Sequence, residues 1–246
     1  MLKNKTCYFN YNQDNIEVSD GFVYVNKILV PKIGSGIDGE IYIYQDKAIK
    51  LYNDQITVKM HLTKQEIEGL SKINTKRIIL PKELLLDTNN KVAGYVMNYV
   101  DLNTKQNILL ANKINLIKQL KELEQELILL GKKHFLLDDN NPENLFYNYN
   151  LYLFDSDSFM YEKYEEVSKQ NIEIFAWCFI RYIVYSFNEN LSEFNHLRYA
   201  SRIYDIYRSG NYYSISNFIE DIININLDEL IYIDGYNKVK VKKIIK

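Results

Sequence analysis

The residues best suited to chemistry lie in Asp138-Asp139-Asn140-Asn141-Pro142-Glu143-Asn144 and, after an apolar run, in Leu153-Phe154-Asp155-Ser156-Asp157. A carboxylate, an amide five positions on and a further carboxylate form an oxygen-rich set. Hard Mg2+ prefers such ligands and completes its shell with phosphate oxygens. Taken alone, the same letters also suit an Asn/Asp-rich loop.

Three further features suit the handling of phosphate. Gly34-Ser35-Gly36-Ile37-Asp38-Gly39 lets a turn approach phosphates and present backbone N–H groups. A dinucleotide-binding turn would need a helix directly after these glycines, and a strand-like run follows instead. Ala48-Ile49-Lys50 lies on the next such run, so a hairpin would bring the Lys50 ammonium below the glycine turn. Glu66, in Glu66-Ile67-Glu68-Gly69-Leu70, is the expected partner for Lys50, with Glu68 as second choice. Thr63 and Glu66 also have capping-box spacing, which would give Glu66 a purely structural task.

The elements that must position these residues fall into two regions. Residues 1–100 are β-rich, with strands expected over Gly21–Val30, Glu40–Tyr44, Lys47–Tyr52, Glu83–Leu86 and Val92–Val96. Asp87-Thr88-Asn89-Asn90 is a turn signal. One helix, carrying Ile67, Leu70 and Ile73 on one face, interrupts this small sheet. Residues 101–246 are mainly helical. Leu116, Leu120, Leu123, Leu127 and Leu130 recur at helical spacing, with Gly131 as the expected C-cap. Further helices are expected over Asn171–Phe187, Leu191–Arg208 and Ile215–Ile223. A hairpin is expected around Asp234-Gly235, before a solvated basic end, Lys238–Lys246.

Composition narrows the class. The 30 basic and 32 acidic residues nearly cancel, so charge gives no reason to expect nucleic acid or an anionic membrane as partner. Cys7 and Cys178 are too few for a disulfide framework, which suggests a reduced, cytoplasmic setting. Residues 1–20 lack the apolar run of a secretory signal, although delivery into another cell stays open. The most apolar stretch, Ile174–Phe187, is interrupted by Arg181 and too short to span a bilayer. His61, His134 and His196 have no metal-ligand or triad spacing.

The ordered set GSGIDG, AIK, EIEGL, DDNNPEN and FDSD resembles the protein-kinase catalytic domain, in a compact, divergent form of bacterial or phage type with a short activation segment. The resemblance runs from about Ile28 to Phe187. It implies an α+β, bilobal fold, with a β-rich N-lobe over residues 1–100 and a mainly helical C-lobe over 101–246. It implies that Gly34, Gly36 and Gly39 cover the phosphates of ATP, and that Lys50, held by Glu66, contacts them. Met97 would border the adenine, and backbone groups of Asn98, Tyr99 and Val100 would hydrogen-bond it. Asp139 would orient the acceptor hydroxyl and take its proton, while Asn144 and Asp155 would bind Mg2+. Glu173 would stand where the family has an aspartate that anchors the catalytic loop.

The departures matter as much. Leu137-Asp138-Asp139 replaces His-Arg-Asp, Asp155-Ser156-Asp157 replaces Asp-Phe-Gly, and no Ala-Pro-Glu follows. Switching by activation-loop phosphorylation is therefore not expected. Asp157 could be a further metal ligand or cap a turn. The expected activity is phosphoryl transfer, most simply to serine or threonine of a protein. A small-molecule kinase of the aminoglycoside or choline type and a pseudokinase acting as a binding module are the alternatives.

Overall fold

A computed structural model describes residues 5–9, 15–19, 21–53, 61–139, 141–154, 157, 159–187, 192–224, 232–234 and 237–239. The chain divides into two compact units, residues 1–101 with 155–160, and residues 102–154 with 161–246.

In the first unit the strands are β1 (Lys5–Phe9), β2 (Asn15–Ser19), β3 (Phe22–Val25), β4 (Ile28–Leu29), β5 (Lys32–Ser35), β6 (Gly39–Tyr44) and β7 (Lys47–Tyr52). Helix α1 (Lys64–Leu70) precedes β8 (Pro81–Asp87) and β9 (Val92–Asn98). They form one nine-stranded sheet in the order β4-β3-β2-β1-β8-β9-β7-β6-β5, with every adjacent pair antiparallel. The expected small sheet is thus extended by a four-strand meander at one edge.

The single strand expected over Gly21–Val30 is a hairpin. Asn26 and Lys27 both take positive φ (49° and 68°), which suits the tight turns whose twist matches antiparallel strands. Alternation buries Ile16, Val18, Val23 and Val25 together with Ile49, Leu51, Leu85 and Val96 in one apolar cluster. At the β8–β9 turn, Asp87 Oδ1 accepts from the N–H groups of Asn89 and Lys91, both at 2.8 Å.

The second unit is built on α2 (Lys113–Lys132), followed by the short strands β10 (Phe135–Leu137), β11 (Leu145–Tyr147) and β12 (Leu151–Leu153), and by β13 (Phe159–Tyr161), which begins in the first unit. Then come α3 (Val167–Phe187), α4 (Glu193–Ser209), α5 (Ile215–Asn224) and the hairpin β14 (Tyr232–Asp234) with β15 (Asn237–Val239). The expected basic end, from residue 240 on, lies outside the described residues.

The leucine stripe Leu116, Leu120, Leu123, Leu127 and Leu130 is buried on α2, which packs against α3 with its buried Phe175 and Phe179. Gly131 is not the C-cap. It lies inside α2, where an added Cβ would sit 2.4 Å from the Ser168 Cα, so close packing against the chain at the start of α3 excludes a side chain. Lys133 caps the helix instead. Among the described residues no helix is long and apolar enough to cross a membrane.

Candidate active site

In the first unit the glycine-rich segment turns from β5 into β6. Gly36 N–H donates to the Gly39 carbonyl at 2.9 Å. Gly34 pairs with Ile41 and Gly39 with Tyr52. At Gly39 a Cβ would meet the Leu51 carbonyl oxygen at 2.4 Å, so glycine here is needed for β6 to lie on β7. Gly36 is exposed, and a Cβ there would meet nothing within 4 Å. Its smallness serves no packing need of the folded chain.

Lys50 is the cross-strand neighbour of Ile41 on β6 and of Tyr95 on β9. Gly94 makes that second pairing possible. Its φ of +148° and the 1.9 Å that would separate an added Cβ from the Lys50 carbonyl oxygen admit only glycine. Lys50 is 8% exposed, and its ammonium pairs with the Asp157 carboxylate, 3% exposed at the side chain.

Glu66 performs the capping task. Its Oε2 accepts from the Thr63 N–H at 2.7 Å, and Thr63 Oγ1 accepts from the Glu66 N–H at 3.2 Å. The ion pair that Lys50 makes with Asp157 therefore stands where a pair with Glu66 was expected.

Met97, Asn98, Tyr99 and Val100 follow one another at the end of β9. The Tyr99 N–H donates to the Asp46 carbonyl at 3.0 Å. That amide is committed to the fold.

In the second unit Asp139 and Asn144 meet. Asp139 Oδ2 accepts from Asn144 Nδ2 at 3.0 Å, and Oδ1 accepts from the Asn141 N–H at 2.9 Å. Asn141 caps the one-turn helix Pro142–Asn144, and the Asn144 N–H returns to the Asn141 carbonyl at 3.1 Å. The Phe154 N–H donates to the Asn144 carbonyl at 2.8 Å, tying the end of the β11–β12 hairpin to the same loop.

With its nitrogen on Asp139, Asn144 turns its amide oxygen, a hard donor suited to Mg2+, away from that carboxylate. Asp155 lies outside the described residues. Among the described residues no three His, Cys, Asp or Glu side chains are placed to hold a metal ion. The Asn144 amide oxygen is a hard donor of the kind that Mg2+ accepts beside phosphate oxygens.

The loop is anchored by a residue that sequence reasoning missed. Asn171, fully buried on α3, accepts from the Leu137 N–H at 2.7 Å and donates to the carbonyls of Phe135 at 2.9 Å and Leu127 at 3.1 Å. Glu173, expected in this role, is exposed. It lines a cleft of about 600 Å3 in the second unit with Asp138, Asp205, Trp177 and Tyr204. Two positions along α3 separate the acidic look-alike from the amide that can satisfy a donor and two acceptors together. Farther along α3, Cys178 Sγ donates to the Asn141 carbonyl at 3.3 Å, and burial pushes its thiol pKa up to about 12.

No protein-family model matches the sequence, and no curated protein matches it. Solved structures do. The kinase domain of PknI from Mycobacterium tuberculosis is 13% identical over a match covering 78% of this chain and 93% of that one, with a TM-score of 0.47. Rad53 residues 1–466, crystallised with AMP-PNP, is 13% identical over 90% of this chain and 71% of that one, with a TM-score of 0.50. The second likeness and the mixed sheet-and-helix architecture agree: the chain has a protein kinase-like fold.

Proposed function

We propose that this chain is an ATP- and Mg2+-dependent phosphotransferase acting on serine or threonine hydroxyls of a protein. The observation that carries the reading is the Asp139–Asn144 pair, at 3.0 Å, on a loop that the buried Asn171 anchors. A hydroxyl-orienting carboxylate and a metal-binding amide are what phosphoryl transfer asks of such a loop. The fold neighbour Rad53 was solved with an ATP analogue, and we carry nucleotide binding over to this chain.

Each side chain has a task in this reading. The glycine hairpin (Gly34, Gly36, Gly39) offers backbone N–H groups to the phosphates, and Lys50 offsets their charge. Met97 borders the adenine, while backbone groups of Asn98 and Val100 hydrogen-bond it. Asn144 and Asp155 hold Mg2+, which supplies charge neutralisation on the transferring group. Asp139 orients the acceptor hydroxyl and takes its proton as the oxygen bonds to the γ-phosphorus and the bond to the leaving ADP oxygen breaks. Orientation and electrostatics supply the rate, so no covalent intermediate is needed.

The chain would work without phosphorylation of an activation loop, since neither the phosphate-reading arginine nor Ala-Pro-Glu stands in the sequence. The test is γ-labelled ATP with Mg2+, offered serine- and threonine-containing proteins and, separately, small amino alcohols and aminoglycosides. Label on protein hydroxyls supports the proposal. Label on small alcohols alone moves the assignment to a small-molecule kinase. ATP binding with no label on any acceptor marks a binding module.

A further inference from the structure

Lys50, Tyr52, Tyr95 and Asp157 form one buried polar cluster within the first unit, and its construction follows from the sheet. Lys50 and Tyr52 are two apart on β7, so their side chains leave the same face. Tyr95 lies directly opposite Lys50 on β9 and adds a third side chain to that face. All three converge on one carboxylate. Asp157 Oδ1 accepts from the Tyr52 hydroxyl at 2.7 Å, and Oδ2 accepts from the Tyr95 hydroxyl at 3.4 Å and pairs with the Lys50 ammonium.

The cluster is itself held. The Tyr52 ring stacks on His61, with centroids 4.0 Å apart and planes 6° apart, and meets the Tyr95 ring edge-on at 6.0 Å. The Tyr52 hydroxyl accepts from the Leu62 N–H at 3.3 Å while donating to Asp157. Burial, and then the Asp157 charge, push the Tyr52 phenol far up, so it remains a donor. Both Asp157 oxygens are thus committed to donors on the sheet.

We propose that Asp157 is the positioning residue for Lys50, doing with two tyrosines what a helix glutamate was expected to do. The proposal rests on the phosphotransfer reading for the purpose of the positioning, and on geometry alone for the pairing. An ammonium whose direction is fixed by a carboxylate locked at both oxygens meets phosphate without having to be reordered on binding. Asp157 accordingly acts through Lys50.

The test is a double-mutant cycle on the full chain, Lys50→Met against Asp157→Asn, with two readouts. The first is the midpoint of thermal unfolding without nucleotide. Each single variant should lower it, and the double variant should fall no further than the worse single. Additive losses overturn the pairing, whatever the nucleotide result.

The second readout is kcat/KM for MgATP, set against the KM for the acceptor. Asp157→Asn should lose about tenfold or more in kcat/KM for ATP, the double variant should match Lys50→Met, and the acceptor KM should hold within about twofold. Equal losses for both substrates, or none, overturn the positioning role. A wild-type chain that turns over no ATP overturns the phosphotransfer reading and the positioning with it, while the midpoints still decide the pairing. Should Asp157→Asn fail to fold, Tyr52→Phe removes one of the hydrogen bonds to Asp157. A loss of about threefold in kcat/KM for ATP with an unchanged acceptor KM supports the proposal, and an unchanged value contradicts it.

Discussion

Asn171 reaches from α3 to accept the Leu137 N–H at 2.7 Å, and so fixes the chain immediately before Asp138 and Asp139. The same amide nitrogen satisfies the carbonyls of Leu127 and Phe135. One fully buried side chain therefore joins α2, α3 and the loop of the candidate active site.

Asn171→Ala should lower stability by about 2–4 kcal/mol, since each buried polar group left without a partner costs roughly 1–3 kcal/mol. Asn171→Asp should not recover this, because it keeps an acceptor for Leu137 but sets a buried carboxylate against the carbonyls of Leu127 and Phe135. Urea unfolding midpoints check the order. A wild-type midpoint in Asn171→Ala would contradict the anchoring role.

Gly39 and Gly36 should separate packing from function. In Gly39→Ala the new Cβ meets the Leu51 carbonyl oxygen at 2.4 Å, so β6 and β7 must part. The expected loss is about 1–3 kcal/mol, the usual cost of overpacking. In Gly36→Ala the Cβ enters open space, and stability should hold within about 0.5 kcal/mol. Thermal melts of the two variants decide this.

Much of this arrangement was legible in the sequence, and the exceptions have physical causes. The β6–β7 hairpin, the capping alternative for Glu66, the leucine face of α2 and the Asp139–Asn144 spacing all rest on local periodicity, which one stretch of chain carries by itself. Asp157 could not be assigned that way, because its partners Lys50, Tyr52 and Tyr95 come from two strands far along the chain. The only signal was the alternation Lys50-Leu51-Tyr52, which places a cation and a phenol on one face of β7. Asn171 gave a fainter one, a polar residue on the face of α3 that carries Phe175 and Phe179. The β1–β4 meander was half visible, since Gly21–Val30 reads equally as one strand until Asn26 and Lys27 adopt positive φ.

Glu124 should make stability pH-dependent. It is buried against α5, where Oε1 accepts from the Ser216 N–H at 3.1 Å and Oε2 from the Ser216 hydroxyl. Burial raises its pKa above the ordinary 4.5, against the lowering effect of Ser216. A carboxyl with a raised folded-state pKa binds its proton more tightly when folded. Its contribution is complete below the unfolded value and is lost as pH rises through the folded one. Glu124→Gln, which keeps an acceptor and supplies a donor, should flatten that dependence, with its advantage over wild type growing as pH rises through this window. Unfolding midpoints across the acidic range test this, and parallel profiles would contradict it.

Cys178 should be inert in the folded chain. It is 1% exposed, and with its pKa pushed up to about 12 almost no thiolate forms at neutral pH. Maleimide labelling followed by peptide mass spectrometry should find Cys178 unmodified in the native protein and modified after denaturation. Rapid native labelling would mean that α3 opens over the Asn141 loop.

The most direct measurement is transfer of the γ-phosphoryl group by the purified chain, with Asp139→Asn beside wild type at equal concentration. A positioned base contributes about 10²–10⁴-fold, so kcat should fall by that factor in Asp139→Asn while ATP still binds. Transfer that persists undiminished in Asp139→Asn, or is absent from the wild-type chain with every acceptor offered, would contradict the assignment.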